Sequence, residues 1–140
     1  MLSLTDPAVS EAEAQAYIAA RGLLGWPGDE PEQLAALRLG QDYIAREYNH
    51  RWTDEWANDD APQGVKFAII EAARAEIARP GVLSQIIELG REKVLTRAGE
   101  IGWTPAKANA SIADLMPRFT AIDGYLRGHV RGSTIFLARA

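Results

Sequence analysis

Glu47 and His50 are the two residues of this sequence whose types and spacing come closest to a metal site. A glutamate and a histidine three residues apart on a helix share one face, and carboxylate-bridged metal pairs in helical bundles use this spacing. Such a site also needs a second Glu-His pair and two further glutamates. The other histidine, His129, has Leu126 three residues before it. We therefore expect Glu47 and His50 to be solvated or to face an interface, and we expect no metal site.

The acidic stretch that begins at Asp54 is a second candidate, because clustered carboxylates can bind calcium. An EF-hand loop starting there would need an oxygen ligand in place of Trp56, a glycine in place of Asp59 and a glutamate in place of Val65. All three requirements fail. We expect a solvated loop in which the last aspartate, Asp60, caps the next helix.

The sequence carries no recognisable catalytic motif. It contains no cysteine, which excludes disulfides, thiolate metal sites and cysteine nucleophiles. The patterns G-x-S-x-G, H-E-x-x-H, G-x-G-x-x-G and the Walker-type G-K-[ST] are also missing. An enzyme needs an activated nucleophile, an acid-base pair or a cofactor cradle. We therefore expect no catalytic residue, no cofactor and no enzymatic activity.

The composition is that of a globular protein without a membrane segment. Of the 140 residues, 47% are hydrophobic and 24% are charged, and no apolar stretch approaches the roughly 20 residues that a membrane span needs. The 15 basic and 19 acidic residues give a net charge of -4. Proteins that bind nucleic acid through its phosphates usually carry a basic stripe instead.

The first two helices are predicted from their capping residues and apolar spacing. Ser10 and Glu13 form a capping box, and Gly22 is a natural helix stop. The second helix begins at Asp29. Gly40 lies inside it, where glycine costs about 1 kcal/mol relative to alanine, so we expect another helix to approach closely there. The predicted apolar face of this helix contains Leu34, Leu37, Gln41, Ile44 and Tyr48.

Two further helices are predicted, with a short β segment between them. The third helix ends at Pro80 and is expected to be central because its apolar band is wide: Val65, Phe67, Ala68, Ile69, Ile70, Ala72 and Ile77. Residues 93–103 contain two β-favouring runs around Gly99 and predict a hairpin or a loose strand pair. Pro117 kinks the fourth helix or divides it into two short helices. The fourth apolar face contains Ile112, Leu115, Phe119, Ile122, Tyr125 and Leu126.

These elements predict a mainly α fold. We expect a compact bundle of about four helices, a small β-hairpin excursion near residues 93–103 and an extended C-terminal tail. Residues 1–132 are assigned to one helical domain, and residues 133–140 to a C-terminal docking tail.

The order of several weak patterns over roughly residues 10–131 gives this chain a family resemblance. The residues that carry it are Glu13, Ala14, Ala16, Tyr17, Ala19, Ala20, Arg21, Gly22, Trp26, Ala36, Leu37, Asp42, Tyr43, Ile44, Tyr48, Arg51, Trp52, Pro62, Val65, Lys66, Ala68, Glu71 and Ala72. With these residues the chain resembles tailed-phage proteins described as DnaT-like single-stranded-DNA-binding proteins, a group similar to the head-tail connector, or adaptor, superfamily. It departs from the group after the second helix, where "TDEWANDDAP" is shorter and acidic.

The resemblance implies one of two functions. A head-tail adaptor is a structural protein of the virion neck, assembled in the host cytoplasm, and forms a ring, dodecameric in relatives, to match the portal. Its partners are the portal protein, a stopper or tail-completion protein and further copies of itself, while DNA only passes through the lumen. The alternative is a single-stranded-DNA-binding replication accessory. Such a binder should carry a basic groove, whereas the Arg and Lys residues here are scattered among Asp and Glu. We therefore favour the adaptor.

The C-terminal tail is the predicted portal-docking element, because adaptor relatives insert this segment into the portal. It consists of Ser133, Thr134, Ile135, Phe136, Leu137, Ala138, Arg139 and Ala140. Gly128 and Gly132 are expected to act as its hinge, and the tail could span about 26 Å when extended. Its apolar side chains would point to both faces of a strand, as in a strand added to the sheet of another chain.

Two alternatives for the tail stay open at this point. It could pair with Lys93–Arg97 or Glu100–Trp103 of its own domain, or it could be disordered. The tryptophans Trp52 and Trp56 are expected to contribute to a subunit interface or to the core, because tryptophans in acidic surroundings are poor platforms for stacking nucleic-acid bases.

Overall fold

The structure is a computed structural model, and it describes residues 1–23, 26–86, 93–95, 103–105 and 118–132. This part of the chain is mainly helical, and the prediction of a mainly α fold is confirmed. The helices are α1 (Glu11–Ala20), α2 (Glu30–Tyr48), α3 (Gln63–Ala78) and α4 (Thr120–Leu126). Among the described residues, no helix combines the length and the apolar composition that a bilayer crossing requires.

The chain forms two compact units. The first contains residues 1–83 and 119–132, and therefore all four helices named above. The second covers residues 84–118, which the sequence interpretation had placed inside the domain 1–132. It contains two short antiparallel strands, β1 (Lys93–Leu95) and β2 (Trp103–Pro105). The chain between them lies outside the described residues, so the hairpin near 93–103 stays a prediction.

Helix α1 begins with the predicted capping box. The Ser10 hydroxyl accepts a hydrogen bond from the Glu13 backbone N–H at 3.1 Å, and the Glu13 carboxylate accepts one from the Ser10 N–H at 2.8 Å. Glu13 also forms a salt bridge with Lys66 of α3, at 2.9 Å. The helix is followed by Gly22, whose φ of +59° favours glycine. These contacts fix both ends of a ten-residue helix that would be marginal alone.

Helices α2 and α3 approach each other closely at Gly40, as predicted. A Cβ atom at this position would lie 2.7 Å from the Ile69 carbonyl oxygen and 2.9 Å from the Ala73 nitrogen. Leu37, Gln41 and Ile44 are buried as expected, but Leu34 is 45% exposed and its assignment to the buried face was wrong. Gln33 and Ala36 are buried instead, so the buried stripe runs along a different side of the first two turns of α2.

Helix α3 is the central helix, because it packs against both α2 and α4. Its buried side chains are Val65, Ala68, Ile69, Ile70, Ala72 and Ala73. The prediction that Asp60 caps this helix was wrong. Asp60 ends a short 3-10 helix (Asn58–Asp60), and the residue before α3 is Pro62, which makes no capping hydrogen bond through its side chain. Proline suits this entry because the first helical turn leaves its N–H groups unpaired anyway.

Three side-chain amides hold the N-terminal segment: one in α2, one at its C-terminal cap and one in the 3-10 helix. Gln41, only 2% exposed, accepts a hydrogen bond from the Ala8 N–H and donates to the carbonyl oxygens of residues 3 and 6, each at 2.8 Å. Asn49 accepts from the Leu2 N–H and donates to the Leu2 carbonyl, both at 2.9 Å. Asn58 accepts from the N–H of residue 3 at 2.8 Å. An irregular segment thereby gains the backbone partners that a strand or helix would supply.

Candidate functional site

The residues considered for metal binding do not form a site. Glu47 and His50 are both exposed near the end of α2, and Asp54 is exposed in the loop that follows. Within the described ranges, no group of three or more His, Asp or Glu side chains is placed to hold a metal ion. The expectation that these side chains are solvated agrees with their exposure.

A polar cluster joins α1, α3 and α4 around the Tyr17 hydroxyl. This hydroxyl donates a hydrogen bond to a carboxylate oxygen of Glu71 at 2.6 Å and lies 2.9 Å from the Tyr125 hydroxyl. Arg74, one turn further along α3, contacts both oxygens of the same carboxylate at 3.0 and 2.9 Å. The Arg21 guanidinium lies over the Tyr17 ring, 3.9 Å from its centroid. The Tyr17 hydroxyl of α1 is therefore bonded to Glu71 of α3 and to Tyr125 of α4.

The electrostatics of this cluster suit a structural contact. Burial, together with the hydrogen bond to Glu71, raises the pKa of the Tyr17 phenol far above its ordinary value. The phenol is therefore a neutral donor at physiological pH, and a phenolate beside a carboxylate is disfavoured. Both carboxylate oxygens of Glu71 are held by Arg74, so the carboxylate is not free to act as a base. We assign the cluster to helix packing.

An aromatic row follows the end of α2. The ring centroids of Tyr48 and Trp52 are 6.1 Å apart, and those of Trp52 and Trp56 are 5.1 Å apart. Trp52 is only 8% exposed, and its indole N–H donates to Asn49 at 3.0 Å, so it is part of the core. Trp56 is half-buried and keeps part of its surface free. Of the two residues expected at a subunit interface, Trp56 offers the greater exposed surface.

The C-terminal exit, which we define as residues 129–131 paired with residues 51–53, is the feature that bears on function. Trp52 and Val130 form an antiparallel bridge. The Thr53 N–H donates to the carbonyl oxygen of residue 129 at 3.0 Å, and the Arg131 N–H donates to the Arg51 carbonyl oxygen at 2.8 Å. The Arg51 guanidinium returns a hydrogen bond to the Arg131 carbonyl oxygen at 3.1 Å. The chain is thus fixed as far as Arg131.

The two predicted hinge glycines are placed differently with respect to this exit. Gly128 lies in the turn after α4, and residues 129 and 131, which follow it, carry the exit hydrogen bonds. Rotation at Gly128 would break those bonds, whereas Gly132 is exposed and comes directly after them. A hinge is therefore compatible with Gly132 and costly at Gly128. The tail itself, residues 133–140, lies outside the described residues.

The sequence interpretation missed the partner of the exit. Residues 51–53 carry no strand-like run, so period-two alternation gave no signal for the pairing with residues 129–131. The single indication was a compositional one, since the exit segment contains β-branched Val130.

Comparison of the chain with protein-family models, with curated proteins and with solved structures found no match. The resemblance to tailed-phage connector proteins and the activities that it implies therefore stay predictions.

Proposed function

We propose that this protein is a structural head-tail adaptor of a tailed phage or prophage, a ring-forming subunit that joins the portal to the stopper or tail and lets DNA pass. The observation that carries the proposal is the anchored C-terminal exit. A tail that attaches a subunit to another chain must transmit force to its own domain, and this exit ties the segment to residues 51–53 through four hydrogen bonds.

The helical unit behind the exit has the contacts of a rigid block. The exit is also close to α3, because a Cβ on Gly64 would lie 3.0 Å from the imidazole of His129. Helix α3 in turn contacts α2 backbone to backbone at Gly40. Close packing of this kind transmits displacement instead of absorbing it. A subunit of a neck, which has to keep its shape while DNA is packaged and ejected, benefits from this property.

The charge distribution favours the adaptor over the single-strand binder. The net charge is -4, and many of its carboxylates are on the surface: Glu30, Glu32, Glu47, Asp54, Glu55, Asp59 and Asp60 are exposed. A ring lumen must let DNA slide past without binding it, which acidic side chains promote by repelling phosphates. A single-strand binder needs a positively charged groove that attracts the phosphates.

The proposal is tested by deleting residues 133–140 and measuring attachment to the portal. The wild-type protein and the deletion variant are each co-expressed with the portal protein of the same genome, and the complexes are imaged by electron microscopy. We expect wild-type rings on portals and none with the deletion variant. A Ser133→Ala variant, which keeps the whole apolar run, serves as the matched control and should behave as wild type.

Circular dichroism separates the alternatives for the tail. If the tail only docks on another chain, the deletion variant keeps the wild-type helical signal and melting temperature. Loss of the fold would show that the tail is an internal strand instead. A wild-type protein that ignores the portal but binds a labelled single-stranded oligonucleotide at low micromolar concentration, with a strong salt dependence, would establish the alternative function.

A further inference from the structure

An open groove of about 500 Å³ lies between the first half of α2 and the end of α3. Its lining includes the apolar side chains of Ala35, Leu39 and Ile77 and the carboxylates of Glu32 and Glu76. Leu39 is 46% exposed, so it offers apolar surface to a ligand in the groove. The groove therefore combines an apolar floor with negative charge at its edge.

The groove and the C-terminal exit lie at opposite ends of α3. Gly64, in the first turn of α3, is the residue that approaches His129 of the exit. Ile77, which lines the groove, is 13 residues further along the same helix. With a rise of 1.5 Å per residue, this separation is about 20 Å. One subunit thus carries an outgoing segment at one end and an empty apolar groove at the other.

The composition of the C-terminal segment complements the groove. The segment contains the apolar run Ile135-Phe136-Leu137, which matches the apolar floor. From Arg127 to the last residue it contains three arginines and no aspartate or glutamate. Basic side chains that flank an apolar run can pair with the Glu32 carboxylate of the groove, which improves the specificity of docking. The Glu76 carboxylate adds negative charge, although its oxygens already accept hydrogen bonds from the N–H groups of Gly81 and Leu83.

The position of the exit favours the groove of another copy. The chain is fixed as far as Arg131, next to the first turn of α3, whereas Glu76 and Ile77 line the groove at the other end of that helix. Leu137, the last residue of the apolar run, lies five residues beyond Gly132, so an extended chain carries it up to about 16 Å from that glycine. The run can therefore extend away from its own subunit.

We propose that the groove between α2 and α3 receives residues 135–137 of a second copy of this chain. This inference rests on the proposed ring function and names the neighbouring subunit, not the portal, as the chain that accepts the tail. The contact is head-to-tail, because the exit of one copy meets the groove of the next. Contacts of this type produce closed rings when the rotation closes and filaments when it does not.

The test measures self-association of the full-length protein by sedimentation velocity over micromolar concentrations. We expect concentration-dependent oligomers of the wild type. Leu39→Glu in the groove and Phe136→Glu in the tail should each weaken association at least about tenfold, since each removes an apolar side chain from a buried contact. Leu34→Glu is the matched control, because Leu34 lies on the same helix with the same exposure, 45%, outside this groove. It should associate as wild type.

A mixing experiment identifies the partner as a second copy. Leu39→Glu keeps an intact tail, and Phe136→Glu keeps an intact groove, so an equimolar mixture should form a one-to-one dimer that grows no further. Each variant alone should stay monomeric, with an unchanged circular dichroism spectrum. A synthetic peptide of residues 131–140, added in excess, should dissociate the wild-type oligomers.

Three outcomes would overturn the inference: a monomeric wild type, Leu39→Glu oligomers as stable as those of the wild type, or a variant mixture without dimers. The adaptor function is tested separately, by the portal-attachment assay described above. If the wild type self-associates through the groove but never binds the portal, the adaptor proposal fails and the groove contact stands. If Leu39→Glu still binds portals as a monomer through its tail, the portal is the acceptor and the groove proposal fails.

Discussion

Replacing Gly40 by alanine tests whether the approach of α2 to α3 is as close as the structure indicates. The added methyl group would lie 2.7 Å from the Ile69 carbonyl oxygen and 2.9 Å from the Ala73 nitrogen. Both are backbone atoms, so neither can swing aside as a side chain would. Ordinary contact at about 3.4 Å requires the two helices to separate by about 0.7 Å at this point.

Two opposing effects set the size of the change in stability. Alanine is favoured over glycine inside a helix by about 1 kcal/mol. Overpacking a close interface costs about 1–3 kcal/mol or more, and a gap of 0.5–1 Å elsewhere in the interface loses a quarter to a half of each dispersion contact. Because α2 and α3 form the largest helix contact in the unit, we expect the cost to dominate. The net loss should be about 1–2 kcal/mol, or a melting temperature lower by about 3–8 °C.

Gly124→Ala is the matched control for this prediction. Gly124 lies inside α4, and a Cβ there would meet nothing within 4 Å. The same substitution should therefore stabilise the protein by up to about 1 kcal/mol. Thermal melts and urea titrations of both variants measure the difference. A Gly40→Ala variant as stable as the wild type would contradict the close approach and the packing argument built on it.

Three further predictions address the polar contacts. Gln41→Leu should lower the free energy of unfolding by about 2–4 kcal/mol in urea titrations, because the buried Ala8 N–H loses its acceptor, and should speed hydrogen exchange in residues 2–9. Tyr17→Phe should cost about 1–2 kcal/mol by the same measurement, since Glu71 loses a short hydrogen bond. Burial, followed by the nearby Asp123 carboxylate, raises the pKa of Tyr48 from 10.0 to about 12. The neutral phenol therefore favours the fold below pH 10, and melting temperatures should fall, with phenolate absorbance appearing, as the pH rises from about 10 to about 12. A phenolate signal complete by pH 10, with an unchanged melting temperature, would contradict this last prediction.

Local sequence signals predicted the elements of the first unit well, because those elements obey local rules. The capping box at Ser10 and the stop at Gly22 depend on residues within one turn of the helix end. The close approach at Gly40 was predictable because glycine inside a helix needs a packing reason. Each of these signals involves a backbone requirement that few residue types can meet.

Signals that depend on tertiary neighbours misled the interpretation. Leu34 fits the apolar spacing of α2, yet Gln33 is buried there because its amide donates to the carbonyl oxygens of Trp26 and Gly28. Spacing alone cannot reveal that a polar side chain will find buried partners. Asp60 has the residue type of a helix cap, but a 3-10 helix ends at it and α3 starts later. Residue type alone therefore does not show where α3 begins.

The candidate surfaces were only partly visible in the sequence. The apolar tail stood out because residues 135–137 follow two glycines. The groove did not stand out, because the side of α2 that lines it lies outside the single apolar stripe used to predict the buried face of this helix. Ala35 and Leu39, four residues apart, form a second stripe on that side. A search for a second stripe on the same helix would have found them, although not the contribution of Ile77 from α3.

Stability and assembly should separate between two faces of α2, because Gly40 packs on α3 and Leu39 lines the groove. Gly64 at one end of the helix contacts the exit, and Ile77 at the other end lines the groove. Helix α3 therefore fixes the distance between the segment that a subunit donates and the surface that it offers. Substitutions in the middle of the helix pair, such as Gly40→Ala, act on the free energy of unfolding. Substitutions at Leu39, which is half exposed, should leave the core intact and act on the proposed contact with a second copy. Gly40→Ala should therefore lower the melting temperature, and Leu39→Glu should weaken self-association with little change in the melting temperature, when both variants are measured in both assays.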